Sequence, residues 1–282
     1  MSGAMEAAGN GSGGESAGGA GCWRALVLAG SRRGEGDPVA RYRGVRHKCL
    51  AAAGGVPMLA RVVRTLAAAP AIGPILVSLD DPGLIAELAE LAPLLAAGRL
   101  QLLPSGASLS RSVEAAFTAA GPPMLVTTAD HALLDQAMLR CFLAGADAST
   151  ADVAVGLTSS ATITARYPAT RRTYLRFRGG AYSGANLFAL CTGAALAAIT
   201  FWERLERERK RPWQLAKAFG PDLLLAYLLR LRTLEGAMAR VSARLGIVAR
   251  AIEIPIAEAA IDVDKPEDLD LVERILAERA AA

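Results

Sequence analysis

The chain has 282 residues, of which 52% are hydrophobic, 21% charged and 5% aromatic, with 31 basic and 27 acidic side chains. This composition excludes disorder over the whole length, because disordered chains lack so many apolar residues. Its apolar stretches fall far short of the roughly 20 residues that cross a bilayer. The net charge of +4, without a basic patch interleaved with aromatic residues, argues against nucleic-acid binding.

The amino-terminal segment, residues 1–21, is rich in Gly, Ala and Ser and lacks the basic region and apolar run of a secretory signal. We therefore expect a disordered tail, followed by one domain over residues 22–282. The four cysteines are widely spaced and include no Cys-x-x-Cys pair. This spacing favours reduced thiols, a cytoplasmic location and no zinc site.

In the first half, short apolar runs alternate with segments of helical periodicity. Strands are predicted over 25–29, 74–79, 100–103, 124–128 and 153–157. Helices are predicted over 57–68, 82–95, 108–120 and 133–143, and a polar loop over 30–47. Ser108 or Ser110 is the expected N-cap of the helix over 108–120. Repeated strand–helix units indicate a three-layer α/β/α, Rossmann-like fold with a mostly parallel sheet.

The second half is less regular. Strands are predicted over 173–177, 185–190, 249–254 and 260–263, and a final helix runs from Pro266 to about Glu278 with Asp264 as its cap. Between them, residues 201–245 form a helical insert that is densely charged at its start and then apolar. We expect a solvated first helix, followed by packing on the core or against a second subunit in a homodimer. A membrane-surface role is the less favoured alternative.

The loop after the first strand is rich in Gly and Arg. Glycines let backbone N–H groups approach phosphate oxygens, and arginine can pair with phosphate through two hydrogen bonds. The spacing fits neither a Walker A loop nor a dinucleotide-binding loop. Lys48, one of only four lysines, follows this loop and is placed to neutralise polyphosphate charge. We interpret the adjacent His47 as a solvated neighbour.

The order of these features resembles the MobA-like nucleotidyltransferases, whose relatives include cytidylyltransferases of isoprenoid synthesis and sugar-1-phosphate nucleotidyltransferases. The strand, the L-A-G loop, Lys48 and G-V-P-M-L-A-R-V-V resemble the family's opening motif. The stretch P-S-G-A-S-L-S-R-S resembles its Gly-x-x-x-x-x-Ser element. The resemblance implies an enzyme that transfers a nucleoside monophosphate from an NTP to a phosphorylated small-molecule acceptor, releasing pyrophosphate. The implied nucleotide contacts are Leu28, Ala29, Gly30, Ser31, Gly34, Gly106 and Ser112, with Lys48, Arg32 and Arg33 as catalytic residues.

Two carboxylates are expected to hold Mg²⁺. The run M-L-V-T-T-A-D resembles the family strand that ends in a metal-binding aspartate, here Asp130, and A-I-D-V-D-K-P-E-D-L places the second at Asp262, with Asp264 next best. Mg²⁺ prefers hard oxygen ligands and is commonly held by one or two carboxylates plus substrate phosphates. For Asp130 the alternative is an N-cap of the following helix, and for Asp264 capping is the ordinary role. His131 is interpreted as a loop residue.

The acceptor is expected on the second half of the domain. The stretch Y-S-G-A-N-L-F resembles the acceptor-side turn of the family, which implies acceptor contacts from Tyr182, Ser183, Gly184 and Asn186. An upstream cluster of Arg171, Arg172, Arg176 and Arg178 could clamp an anionic acceptor. Two other functions stay open: a nucleotide-sugar-dependent glycosyltransferase and a non-catalytic NTP-binding regulator.

Overall fold

The computed structural model describes residues 23–31, 36–170, 172–208 and 231–281. In this part of the chain the strands are β1 (Trp23–Leu28), β2 (Ala52–Ala53), β3 (Val56–Pro57), β4 (Ile72–Leu79), β5 (Leu100–Pro104), β6 (Met124–Thr128), β7 (Val153–Ser159), β8 (Leu175–Phe177), β9 (Gly180–Leu190) and β10 (Ala249–Glu253). The helices are α1 (Pro38–Arg43), α2 (Met58–Ala67), α3 (Ala92–Ala96), α4 (Leu109–Ala120), α5 (Gln136–Ala148), α6 (Ser160–Arg166), α7 (Ala195–Glu208), α8 (Leu234–Leu245) and α9 (Pro266–Ala281). Over these ranges, every helix is too short or too polar to cross a membrane.

One mixed sheet organises the domain. Its strand order is β10–β7–β9–β6–β1–β4–β5, with β8 paired to β9 and a separate β2–β3 hairpin. The strands β5, β4, β1 and β6 are mutually parallel, as are β7 and β10. Among the described strands of this sheet, β9 alone runs in the opposite direction, because it is antiparallel to β6, β7 and β8. The mostly parallel α/β sheet predicted from the sequence is confirmed.

Both faces of the sheet are covered by helices, which accounts for the continuous apolar character of β1. Ala25 and Val27 belong to a core cluster with side chains of α2 and α5. Leu26 and Leu28 belong to a second cluster on the other face, with side chains of α4 and α7. The three-layer architecture follows from this division.

A third apolar cluster brings together α1 and α2 from the first part of the chain and the carboxyl-terminal segment. Val39 of α1 and Met58 of α2 pack in it with Val263 and Leu269 from the carboxyl-terminal segment. The backbone N–H of Val263 also donates to the carbonyl of Asp130 at 3.1 Å. The segment before α9 is thereby held beside the end of β6.

Several local predictions were wrong. The helix predicted over 82–95 is instead two short 3-10 turns, Pro82–Glu87 and Ala89–Leu91, followed by α3. Pro93 lacks an N–H and clashes with the preceding turn, so a helix cannot run through it. The strand predicted over 260–263 is a 3-10 turn, Ala257–Ala260, with an extended segment after it. The loop predicted over 30–47 contains α1, whose N-cap is Asp37.

Some predictions lie outside the described residues. They are the tail over 1–21, the first-loop residues Arg32, Arg33 and Gly34, the clamp residue Arg171, and the part of the insert over 209–230. The domain boundary, the insert as a unit and its role in a homodimer stay predictions. The described ends of the insert are helical, as α7 and α8.

Candidate active site

A cavity of about 440 Å³ opens beyond the carboxyl ends of β1 and β6. Leu28 and Thr128 are register partners at the ends of these two neighbouring strands. From β1 the sheet continues to β4 and β5 on one side, whereas β6 lies on the other, and such a reversal of strand order leaves a crevice that ligands occupy. The cavity is lined by Leu28, Gly30, Ser31, Asp37, Lys48, Leu109, Thr128, Asp130 and Asp264.

Lys48 forms ion pairs with two carboxylates in this cavity. Its ammonium Nζ is 2.6 Å from Asp130 Oδ2 and 3.4 Å from Asp264 Oδ1. Burial disfavours the ammonium, but the negative charges of Asp130, Asp264 and Asp37 outweigh it and raise the pKa of Lys48. The side chain is 17% exposed, so the ammonium is charged and within reach of a ligand.

Asp130 is held by its own strand end as well as by Lys48. The hydroxyl of Thr128 donates to Asp130 Oδ1 at 2.5 Å. The alternative interpretation of Asp130 as a helix N-cap is wrong, because Asp135 caps α5 by accepting from the N–H groups of Ala137 and Met138. The carboxylate of Asp130 is therefore left facing the cavity.

The two aspartates of the carboxyl-terminal motif have different surroundings. Both oxygens of Asp262 are engaged, one by Arg172 at 2.7 Å and the other by the amide of Asn186 at 3.0 Å. Burial, followed by the charges of Asp130 and Asp264, raises the pKa of Asp262. Asp264 has a 73% exposed side chain beside Lys48 and lines the cavity, which Asp262 does not.

The N-terminus of α9 explains why Asp264 is free to face the cavity. The carboxylate of Asp268 accepts from the backbone N–H groups of Asp264 and Lys265, both at 3.2 Å. The cap predicted at Asp264 is not among the contacts of the described residues: its carboxylate pairs with Lys48, while Asp268 binds the backbone that precedes the helix.

The first loop comes very close to the loop after β5. A Cβ atom added at Gly30 would lie 2.6 Å from the hydroxyl of Ser105, so a larger residue would require the Ser105 side chain to move. The loop continues through Ser31, which lines the cavity next to Gly30, while Ala29 is buried beneath. The acidic Asp37 caps α1 through Val39 and Ala40.

The glycine–serine element forms a closed turn into α4. The N–H of Gly106 donates to Ser112 Oγ at 2.9 Å, and a Cβ at Gly106 would lie 2.9 Å from the backbone nitrogen of Ser112. Ser108 is the N-cap of α4, as predicted, and its hydroxyl accepts from the N–H of Arg111. Leu109 of the same turn lines the cavity, which places this element at its wall.

The predicted acceptor residues lie on β8 and β9 rather than in the cavity. Tyr182 pairs with Ser159 at the end of β7, and Ser183 and Gly184 follow it on β9, while Arg176 is exposed on β8. Asn186 has a positive φ of 47° at the irregularity where β9 passes Gly156. Its amide contact with Asp262 is the link between this strand and the carboxylate cluster.

The side chains of Arg172 and His131 are more buried than the sequence analysis predicted. Arg172 is not available to an acceptor, since its 8% exposed side chain pairs with Asp262 and Asp268. His131 lies in the loop between β6 and α5, as predicted, but its side chain is fully buried, and burial lowers its pKa to about 4.

The interpretation of His47 as a solvated neighbour is wrong, because the residue is buried. Its side chain is 7% exposed and its Nε2 atom lies 3.1 Å from Asp80 Oδ1. No local pattern indicates this contact, because His47 and Asp80 are separated by α2 and β4 in the chain.

The donor set suits a hard divalent cation that also contacts a ligand. Within the described ranges, no group of three or more His, Cys, Asp or Glu side chains is gathered as a metal site. Asp130 and Asp264 nevertheless face one cavity, and two carboxylates plus substrate phosphates are a typical Mg²⁺ environment.

Comparisons with known proteins agree with this geometry. The model of the family described as the MobA-like NTP transferase domain matches residues 25–241. A structure titled as a hypothetical transferase from Thermus thermophilus is 32% identical, with 88% of this chain and 99% of that one covered and a TM-score of 0.73. No curated protein matches the sequence.

More distant structures share the fold. A CMP:2-keto-3-deoxy-manno-octonic acid synthetase complexed with CTP is 15% identical, covering 91% of this chain and 99% of that chain at a TM-score of 0.56. A 4-diphosphocytidyl-2C-methyl-D-erythritol synthase from Anaerococcus prevotii is 10% identical, with 91% and 99% covered and a TM-score of 0.55.

Proposed function

The chain belongs to the MobA-like NTP transferase domain family, and on that premise we propose that it transfers a nucleoside monophosphate from an NTP to a phosphorylated small-molecule acceptor, releasing pyrophosphate. The observation that carries the proposal is the cavity at the ends of β1 and β6, where Lys48 lies between Asp130 and Asp264. A cation beside two carboxylates suits phosphoryl chemistry, which needs positioning and charge neutralisation more than a covalent protein group.

In this proposal Lys48 binds the phosphates that leave as pyrophosphate. Gly30 and Ser31 line the same cavity, and the backbone N–H of Gly30 would donate to phosphate, joined by Arg32 and Arg33 of the first loop. The α4 turn, with Gly106 and Ser112, would contact the nucleoside.

Asp130 and Asp264 are the carboxylates that would hold Mg²⁺. The sequence favoured Asp262, but its engagement by Arg172 and Asn186 supports Asp264 as the second ligand. Mg²⁺, when bound, supplies neutralisation of charge on the phosphate oxygens.

The acceptor would bind on the side of β9. Arg176 is exposed there and can pair with an acceptor phosphate. Tyr182, Ser183 and Gly184 precede Asn186, whose amide reaches the carboxylate cluster through Asp262. An acceptor at this strand would therefore lie next to the metal-binding carboxylates.

The test is pyrophosphate release. Purified protein is incubated with each NTP, with Mg²⁺ or with EDTA, and with a panel of sugar, alcohol and cofactor-precursor phosphates. We expect release with at least one pair, dependent on Mg²⁺, and a loss of about 10²–10³-fold in Asp130→Asn. Asp147→Asn, at an exposed position of α5, is the matched control.

The other outcomes are informative. Transfer from a nucleotide sugar without pyrophosphate release would instead support a glycosyltransferase. NTP binding without turnover in any combination would support the non-catalytic regulator. Either result would overturn the proposed function.

A further inference from the structure

Asp80 lies at the end of β4 and bridges two parts of the proposed nucleotide site. Its Oδ2 atom accepts from the backbone N–H of Ser31 at 3.2 Å, and its Oδ1 atom lies 3.1 Å from His47 Nε2. Ser31 belongs to the first loop, whereas His47 immediately precedes Lys48. One carboxylate therefore contacts both segments.

The hydrogen bonds of His47 define its tautomer. The Nδ1 atom accepts from the backbone N–H of Cys49 at 3.2 Å, and in this way caps the turn Lys48–Leu50. An accepting Nδ1 leaves the proton of the neutral ring on Nε2, so Nε2 donates to Asp80. The ring is 7% exposed, and packing holds it in this orientation.

A continuous chain of contacts thus runs from Ser31 through Asp80 and His47 to the turn that carries Lys48. Ser31 and Lys48 both line the cavity, although they come from different segments of the chain. We propose that His47 and Asp80 are a positioning pair, which fixes the first loop and the Lys48 turn relative to one another so that both bind the same triphosphate. This role rests on the proposed function of the site.

The two ring nitrogens make different contacts, so substitutions can separate them. In His47→Asn the side-chain oxygen can still cap the Cys49 N–H, since asparagine is a good N-cap, but the side chain is too short to reach Asp80. In His47→Gln the longer amide can still donate to Asp80, while the cap is lost. Each variant therefore removes one of the two contacts and keeps the other.

The positioning role predicts opposite kinetic effects. His47→Asn releases the first loop and should raise the KM for NTP by about tenfold with little change in kcat, as expected for the loss of one hydrogen bond. His47→Gln disturbs the Lys48 turn and should lower kcat by about tenfold or more, with a smaller change in KM. Asp80→Ala should reproduce the effect of His47→Asn, and the double variant Asp80→Ala/His47→Asn should be no worse than Asp80→Ala alone.

Asp81→Asn is the matched control. Asp81 is adjacent to Asp80, but its carboxylate caps the following turn at Gly83 and pairs with the exposed Arg46. Asparagine keeps the cap, so KM and kcat should stay at wild-type values.

Amide hydrogen exchange tests the link without any substrate. Exchange at Ser31 should accelerate in His47→Asn and Asp80→Ala but not in His47→Gln, whereas exchange at Cys49 should accelerate only in His47→Gln. Unchanged exchange at both amides would overturn the positioning role. So would the same changes in KM and in kcat in His47→Asn and His47→Gln. Absence of pyrophosphate release from the wild-type protein would overturn the proposed function instead, and the exchange pattern would still decide the link.

Discussion

Among the described residues that line the cavity, the side chains carry more negative than positive charge. Lys48 supplies one ammonium, whereas Asp130 and Asp264 supply two carboxylates within 3.4 Å of it. An NTP brings several further negative charges to the same place. Since like charges repel strongly in a partly buried site, the side chains here require an additional cation before a triphosphate binds well, which is the physical basis of the Mg²⁺ proposal.

Lys48→Met is expected to abolish most turnover. The substitution keeps the apolar stem but removes the ammonium that is proposed to bind the leaving phosphates, and loss of such a group typically costs about 10²–10³-fold in rate. The measurement is kcat for pyrophosphate release, with circular dichroism to verify the fold. Lys265→Met, at an exposed position, should have wild-type activity. Normal turnover in Lys48→Met would contradict the role of this lysine.

His131 should make the stability of the fold sensitive to acid. Its pKa is lowered to about 4 by burial, so between that value and the ordinary value near 6.5 the unfolded chain binds a proton that the folded chain does not. Stability is therefore full at neutral pH and falls on acidification, by on the order of 3 kcal/mol near pH 4.

The measurement is urea unfolding at several pH values. His131→Asn cannot take up this proton and should show a flatter dependence than the wild type, even though it is less stable at neutral pH. Equal slopes for the two proteins would mean that His131 does not titrate in this range.

Residues whose role follows from local sequence could be predicted. Lys48 and Asp130 are marked by their positions after an apolar strand or a glycine loop, and the structure brings them to 2.6 Å. The choice between Asp262 and Asp264 could not be made in this way, because both belong to one short motif. It depends on Arg172 and Asn186, which lie far away in the sequence.

At the level of elements, α7 is attached to the amino-terminal turn of α4. The carboxylate of Glu206 accepts from the N–H and the hydroxyl of Ser110, at 2.9 and 2.6 Å, and Glu203 pairs with Arg111 at 3.0 Å. A carboxylate is favourable at a helix N-terminus because it meets unpaired N–H groups and the positive end of the helix dipole. The start of the insert therefore stabilises the turn that would contact the nucleoside.

We expect a measurable coupling between Glu206 and Ser110. Glu206→Ala leaves the backbone N–H of the fully buried Ser110 without its acceptor, at a cost of about 1–3 kcal/mol in the free energy of unfolding. Ser110→Ala removes one of the two bonds. A double-mutant cycle should give an interaction energy of at least about 0.5 kcal/mol, and strict additivity would show that the contact is not formed in solution.

Strands were predicted correctly where a continuous run of apolar residues marks them in the sequence. Continuous apolar runs identified β1, β4 and β6, since strands buried on both faces need no alternation. The pattern could not reveal that β9 is antiparallel, because alternating side chains read the same in both directions. That direction is set by the pairing of β9 with β6 and β7.

For the molecule as a whole, one buried network joins distant parts of the chain. Arg172, from the segment before β8, pairs with Asp262 and with Asp268 of α9, and Asn186 of β9 donates to the same Asp262. The side chains of Arg172 and Asp268 are 8% and 11% exposed. The network therefore connects α9 and the segment before it with β9 and the segment before β8.

Arg172→Ala should destabilise the entire domain. Removing the guanidinium leaves the buried carboxylate of Asp268 and the partly exposed carboxylate of Asp262 without this counterion, and breaking a buried pair costs about 3–5 kcal/mol. Urea unfolding is the measurement, and a shift of the single transition is expected. Arg166→Ala is the control, because its pair with Glu278 is 61% and 62% exposed and such pairs contribute at most about 1 kcal/mol. Equal losses in both variants would contradict the importance of the network.

The reversed direction of β9 also bears on how such a domain can diversify. A parallel strand can only end at the edge where the cavity lies, but β9 begins there, and the hairpin with β8 projects from that edge. Length and sequence in this hairpin can vary without altering the turn that carries Lys48 or the end of β6 that precedes Asp130. Under the proposed function, one half of the domain can thus keep a common phosphate chemistry, while the other changes piece by piece to suit a new acceptor.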